Sequence, residues 1–300
     1  MYTLKGSPRM DHTSHPLGSR PTGLILSGGA ALGAWQAGCL YGLVQKGLGF
    51  HSVFGTSIGA LNGCGYFQDT MERMWKVWRN MDRGEFFRLR PGLLPMSIFS
   101  QPHLRRYLGQ HIDEERAKRL KRCWFYVVST DIASGTTHQA CYSPDDAGPW
   151  DGPLLDHVMG SISIPFVLPP VRIPLNGHGE RLLLDGHAKS FINLFPALRR
   201  GVKDLLFLSI VHPDELKAPR FGFRSYITTL LNQLLQGQIE HSLEGLRVYT
   251  QDVRAYVFHP TKPLTMKPLS FDKTHCREAF DQGLEDCGAL LANPEAWRVL

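Results

Sequence analysis

Apolar residues fall along this chain in short unbroken runs that stop at glycine, and longer stretches of helical spacing lie between them. Gly23-Leu24-Ile25-Leu26 leads into Gly28-Gly29-Ala30-Ala31-Leu32-Gly33, and Val53-Phe54 leads into Gly55-Thr56-Ser57-Ile58-Gly59. Each glycine stop stands where a strand should end and a helix begin. Between the two, Ala34 to Lys46 has no proline, carries Leu40, Tyr41, Leu43 and Val44, and ends on a lysine followed by Gly47, a plausible helix C-cap. Strand, helix and strand predict one βαβ unit with two parallel strands. Such strands bring their C-terminal ends to one edge of the sheet, where open α/β sheets bind ligands. Downstream, Trp124 to Thr130, Leu182 to Leu184, Leu205 to Val211 and Ala255 to Phe258 read as further strands. Asp69 to Met81, Pro102 to Leu120, Leu154 to Ser161, Arg224 to Tyr249 and Asp272 to Leu291 read as helices. Alternation of this kind predicts an α/β fold: a mostly parallel central sheet with helices on both faces, three layers in all.

Candidate chemistry gathers at the glycine stops. Ser57 has glycine two residues to either side, the composition of a sharp strand-to-helix turn that leaves a hydroxyl exposed. The diglycine at 28 and 29 can turn bare N–H groups toward the same spot. Asp185 directly follows Leu182-Leu183-Leu184 and precedes Gly186, which puts its carboxylate at a strand end on that edge; a turn aspartate serving its own backbone is the plainer reading. Met71, Met74, Trp75, Trp78 and Met81 recur at three- and four-residue steps and form one apolar helical face. That face suits a core helix, and with Phe86 and Phe87 it also suits an interfacial lid or the wall of an acyl-chain site.

Composition narrows the classes. Three hundred residues with 43% hydrophobic content can build one large core or two modest ones. Residues 1–20 mix basic and small polar residues and read as a loose tail, with no apolar stretch of signal-peptide length. No run is long and apolar enough for an ordinary transmembrane helix, so membrane contact is expected to be peripheral. The formal charge of +6 is spread in groups such as Arg116-Lys118-Arg119-Lys121-Arg122, which suit solubility or an anionic lipid surface, and no nucleic-acid motif accompanies them. The six cysteines have neither zinc-site spacing nor the density of a disulfide scaffold, so reduced thiols in a cytoplasmic compartment are expected. His12 and His15 lack a third ligand, and no metal or other cofactor is expected.

Taken together, these motifs resemble the patatin-like phospholipase family, which pairs a glycine-rich loop with a Gly-x-Ser-x-Gly turn and an Asp-Gly motif. Ser129-Thr130-Asp131-Ile132-Ala133-Ser134-Gly135, Gly160-Ser161-Ile162-Ser163-Ile164-Pro165 and Asn193-Leu194-Phe195-Pro196 are similar to the family's intermediate segments. The resemblance implies one domain over residues 21–293, a C-terminal tail over 294–300, and a patatin-like three-layer fold. It implies a serine acyl hydrolase acting on phospholipids or related carboxylic esters, with Ser57 as nucleophile and Asp185 as base, a dyad with no obligatory histidine. Backbone N–H groups around Gly28, Gly29 and Ala30 would hold the oxyanion, with Gly33, Gly55, Gly59 and Gly186 as supporting motif positions. The chain departs from the family at three places. Ala30 stands for a third glycine, a mild change unless that position needs φ > 0; Leu32 stands for a cation; His187 stands for glycine or alanine after Asp185-Gly186. Competing readings are an α/β-hydrolase with a Ser-Asp-His triad using His212 or His259, a non-catalytic phosphate- or lipid-binding scaffold, and a patatin-like domain that has lost catalysis. Oligomeric state is not legible.

Overall fold

Leu24, Ile25, Leu26, Val53, Phe54 and Phe207 are each at most 1% exposed, which is why their segments read as continuous apolar runs rather than alternating ones. The computed structural model describes residues 20–81, 99–174, 179–189, 191–217, 223–247, 252–268, 270–293 and 296–299. Chain order opens with β1 (Thr22–Leu26), α1 (Gly33–Gln45), β2 (Ser52–Thr56), α2 (Ile58–Phe67) and α3 (Met71–Arg79). It continues with α4 (Gln101–Gly109), α5 (Glu114–Leu120), β3 (Trp124–Asp131), β4 (Thr136–Tyr142), α6 (Leu154–Ser161), β5 (Val171–Pro174) and β6 (Glu180–Asp185). The remainder is α7 (Phe195–Arg199), β7 (Asp204–Leu208), α8 (Phe223–Arg247), β8 (Arg254–Phe258), α9 (Lys273–Leu291) and β9 (Arg298–Val299).

β3, β2, β1, β7 and β8 lie side by side and parallel, which bears out the expected sheet. Successive side chains alternate between two apolar layers. Leu24, Leu26, Val53, Phe125, Val127, Leu206 and Leu208 join the layer that holds α1, α2, α3 and α9. Ile25, Phe54, Tyr126, Phe207 and their neighbours join the layer formed with α7 and α8. The result is the three-layer α/β/α arrangement.

Several elements differ from expectation, each for a local reason. The helix expected from Pro102 to Leu120 is two helices, because Asp113 accepts a hydrogen bond from Arg116 N at 2.8 Å and caps a new start. The strand expected from Leu205 to Val211 ends at Leu208. β6 runs antiparallel to β3, and β4, β5 and β9 add antiparallel pairs that the apolar pattern did not announce. Arg298 and Val299, expected in a tail, pair with β8. The expected N-terminal tail up to residue 19 and the expected lid residues Phe86 and Phe87 lie outside the described residues. Much of the basic segment at 116–122 is consumed locally: Arg122 pairs with Asp69, Lys118 with Glu114 and Glu115, and Lys121 with Asp146.

α1 and α9 cross at very close range, through Gly38 and Gly283. A Cβ at Gly283 would lie 2.0 Å from Trp35 O, and one at Gly38 would lie 2.0 Å from Phe280 O. Overpacking of this kind typically costs about 1–3 kcal/mol. Gly283→Ala is therefore expected to lower Tm by several degrees in calorimetry. Gly288→Ala, on the same helix with nothing within 4 Å of the new methyl, should leave Tm unchanged or raise it, because alanine is the better helix former.

Candidate active site

β3 brings Ser57 and Asp185 together. β2 climbs one edge of β3 in parallel and ends with Thr56 opposite Val128; β6 comes down from beyond the end of β3, antiparallel, and ends with Asp185 opposite Ser129. Val128 and Ser129 are consecutive, so the C-termini of β2 and β6 meet. Gly186 sits at the junction, where an added Cβ would be 2.7 Å from Val128 O and 2.8 Å from Thr56 Cγ2. Asp185 thus reaches the expected edge, but from the opposite direction to the one expected.

Ser57 occupies the turn between β2 and α2 at φ 54, ψ −127, a backbone region that costs a non-glycine residue on the order of 1–3 kcal/mol. Its neighbours let the turn close. A Cβ at Gly59 would be 2.2 Å from Leu26 O, and one at Gly55 would be 2.5 Å from Ala60 Cα. α2 consequently starts against the end of β1, with its positive N-terminal end at Ser57. The turn is held from below by Ser161, whose Oγ accepts from Ser57 N at 2.8 Å and donates to Val128 O at 2.6 Å.

The glycine loop lies alongside. Gly28 packs so tightly that a Cβ there would be 2.6 Å from Ser57 Cβ, and Gly29 has φ 151 with Ile210 filling the space a side chain would need. Ala31 N–H donates to Pro268 O at 2.8 Å and Leu32 N–H to Gly29 O at 3.2 Å, whereas among the described residues no hydrogen bond takes the N–H of Gly28, Gly29 or Ala30. Ala30 sits at φ 52. The position does adopt the left-handed region, so alanine in place of glycine carries a strain of about 1 kcal/mol. Leu32 is 6% exposed and belongs to the core; its side chain is turned into the helical layer. Gly33 allows Ile58 of α2 to pack against the loop, an added Cβ there being 2.5 Å from Ile58 Cγ1.

A buried amide network that sequence reasoning missed underpins the loop. Gln36 Nε2 donates to Ser27 O and Leu208 O, Asn62 Nδ2 donates to Gly33 O and Gln36 Oε1, and Trp78 Nε1 donates to Asn62 Oδ1. The available signal was the presence of Gln36 and Asn62 inside the otherwise apolar helices α1 and α2. Ser161 lay in a segment already singled out, without a role.

Asp185 is 4% exposed, and its Oδ1 accepts from His187 N at 2.9 Å and from His187 Nδ1 at 3.0 Å. Among the described residues, no hydrogen bond joins Ser57 Oγ to Asp185. The distal histidines are occupied elsewhere. His259 Nδ1 donates to Val211 O at 2.8 Å, and burial holds this imidazole below its ordinary pKa; His212 Nδ1 accepts from Asp214 N and caps a turn. From Ala30 and Ser57 a cavity of about 120 Å³ runs beneath α3 and α4, lined by Leu61, Met74, Val77, Trp78 and Leu108 and reaching Gln68. Its span along α2, about 16 Å at 1.5 Å per residue, is mostly apolar. The apolar face of α3 therefore serves as a cavity wall as well as core.

Comparison with known proteins adds three findings. A family model described as patatin-like phospholipase matches residues 24–198. The patatin-like phospholipase domain-containing protein M110.7 of Caenorhabditis elegans is 32% identical over 217 residues, which is 67% of this chain and 18% of that protein. Neuropathy target esterase sws of Drosophila melanogaster is 28% identical over 210 residues (67% of this chain, 14% of that protein), and human patatin-like phospholipase domain-containing protein 6 is 26% identical over 211 (66% and 14%). The chain thus spans less than a fifth of the length of these relatives. The solved structure of VipD from Legionella pneumophila superposes on 94% of this chain and 68% of its own, with a TM-score of 0.42 and 13% identity.

Ser161→Ala would leave the buried Ser57 N–H without its acceptor, at about 1–3 kcal/mol. Among the described residues, Ser163 Oγ bonds only Met159 O, a carbonyl in the last turn of α6, so Ser163→Ala should cost less. Urea denaturation of the two variants is expected to rank them in that order, and equal midpoints would remove Ser161 as the support of the turn.

Proposed function

The chain belongs to the patatin-like phospholipase family, and on that premise we propose that it is a serine acyl hydrolase of lipid carboxylic esters, with Ser57 as nucleophile and Asp185 as the carboxylate that activates it. The observation that carries this reading is the register on β3, which sets a strained serine turn against a buried aspartate beside three uncommitted backbone N–H groups. A serine hydroxyl is a weak nucleophile until its proton is taken, and donors aimed at a developing oxyanion contribute about 3 kcal/mol each. The N–H groups of Gly28, Gly29 and Ala30 supply those donors, and the N-terminus of α2 adds its positive end. As Ser57 Oγ attacks, the ester carbonyl turns its oxygen toward the loop and the acyl chain lies in the apolar cavity along α2.

A lipid ester suits that cavity better than a phosphate does, because the lining beyond Ser57 offers hydrocarbon rather than charge, Arg73 excepted. A phosphate-binding scaffold also gives no reason for holding Ser57 at φ 54. A triad through His259 or His212 finds no support, since each ring is bonded at the ends of β7 and β8 rather than to Asp185. No described helix is long and apolar enough to cross a membrane, so the reading includes peripheral contact with the lipid surface.

Ser57→Ala should lose about a thousandfold or more in kcat toward p-nitrophenyl esters while keeping its circular dichroism spectrum; full activity would remove the site assignment. Val77→Phe should narrow the cavity and shift kcat/KM toward shorter acyl chains across a graded ester series. An unchanged chain-length profile would place the acyl chain elsewhere.

A further inference from the structure

The cavity that begins at Ser57 changes character at its far end. Along its length the polar side chain of Asn62 is consumed by bonds to Gly33 O, Gln36 Oε1 and Trp78 Nε1. Beyond the last turn of α2, by contrast, Gln68, Thr70, Arg73 and His111 all line the cavity. Hydrogen bonds hold this group together. Gln68 Nε2 donates to Thr70 Oγ1 at 3.0 Å and to His111 O at 2.7 Å, Gln68 Oε1 accepts from Asp113 N at 2.8 Å, and Arg73 donates to Gln110 O at 3.4 Å. A hydrocarbon passage thus ends on a cation and an imidazole.

Both of those groups have bonding capacity to spare. His111 Nδ1 is buried and, among the described residues, takes part in no hydrogen bond, while its ring packs on Tyr107 with centroids 4.7 Å apart. Burial, and after it the charge of Arg73, hold this imidazole below its ordinary pKa, so at neutral pH it is an uncharged ring that can donate from one nitrogen. Arg73 is exposed and forms no ion pair among the described residues, where its one hydrogen bond is the long one to Gln110 O. An acyl chain ending here in a methyl group would strip water from the guanidinium and leave Nδ1 unpaired, and both are unfavourable. A chain ending in a carboxylate would satisfy the two together. A lipid head group is the wrong anion for this place, since it adjoins the scissile ester at Ser57 and the cluster lies about 16 Å away along α2.

Resting on the hydrolase reading above, we propose that the far end of the cavity is an anion subsite for the distal end of the acyl group, which selects esters of acids that carry a second carboxylate at the end remote from the ester. Arg73 supplies the charge and His111 a neutral hydrogen bond. With carbon–carbon bonds of about 1.5 Å in a zigzag, crossing about 16 Å takes a chain of roughly a dozen carbons. A shorter diacid would strand its carboxylate among Leu61, Met74 and Val77, where an unpaired charge is costly. A longer one would carry it past Arg73. The preference for the second carboxylate therefore peaks at one chain length instead of rising steadily, and because Arg73 is exposed it weakens as salt is added.

The test uses the full chain and two series of p-nitrophenyl esters matched in length, one of fatty acids and one of α,ω-dicarboxylic acids esterified at a single end, each kept below its micelle concentration. Wild type, Arg73→Gln, Arg73→Lys and Ser57→Ala are compared by the ratio of kcat/KM for the diacid ester to that for the fatty ester at each length. Such a ratio is insensitive to the fraction of a variant that is folded. In the wild type it should exceed one by about tenfold at its peak and fall with salt. Arg73→Gln should abolish the peak, and Arg73→Lys, which keeps the charge, should retain most of it. A wild type with no peak, or a peak unchanged in Arg73→Gln, would overturn the proposal. Either of those results with Ser57→Ala inactive on both series leaves the hydrolase reading standing. An active Ser57→Ala, or a wild type inactive on both series, would bring that reading down and this proposal with it.

Discussion

The site depends on one edge of β3 being shared by two strands of opposite direction. Neither β2 nor β6 continues past the other, and the consecutive partners Val128 and Ser129 leave no gap between their ends. A shift of one residue in either pairing would turn Ser57 or Asp185 to the opposite face. The register is protected on both faces, because Phe125 and Val127 are locked into one apolar layer and Tyr126 and Val128 into the other. Core packing therefore decides the serine-to-aspartate geometry before any polar contact does.

Around that junction the chain removes side chains wherever backbones must touch. Gly59 against Leu26 O, Gly28 against Ser57 and Gly186 against Val128 O bring three loops to one point. The cost appears as strain at Ser57 and Ala30, both at positive φ without being glycine. It is offset by neighbours that leave no alternative conformation: the Ser161 bridge below the serine and the Gln36–Asn62–Trp78 network below the loop. His187 fills the remaining space, which makes this site more crowded than an aspartate followed by two glycines would leave it.

What was legible in the sequence was the local chemistry. The glycine stops located the β1 loop and the Ser57 turn, and the unbroken apolar runs located the five parallel strands, since both signals arise from neighbours along the chain. Strand direction was not legible: Leu182-Leu183-Leu184 reads alike running up or down a sheet, and only the pairing with β3 decides it. β4 was missed because its exposed and half-buried positions, such as Thr136 and His138, carry no apolar run. The split between α4 and α5 was signalled by Asp113, but the apolar spacing on either side masked it. At Ala30 the residue type implied a mild change, while the backbone angle, set by the turn as a whole, showed the strain.

The central claim is that Ser57 is an activated nucleophile, and covalent labelling addresses it without assuming a substrate. The wild-type chain would be incubated with a fluorophosphonate, digested, and mapped by mass spectrometry. The account predicts a single stoichiometric phosphonyl adduct on Ser57. An adduct confined to another residue, or no adduct on a folded protein, would contradict it.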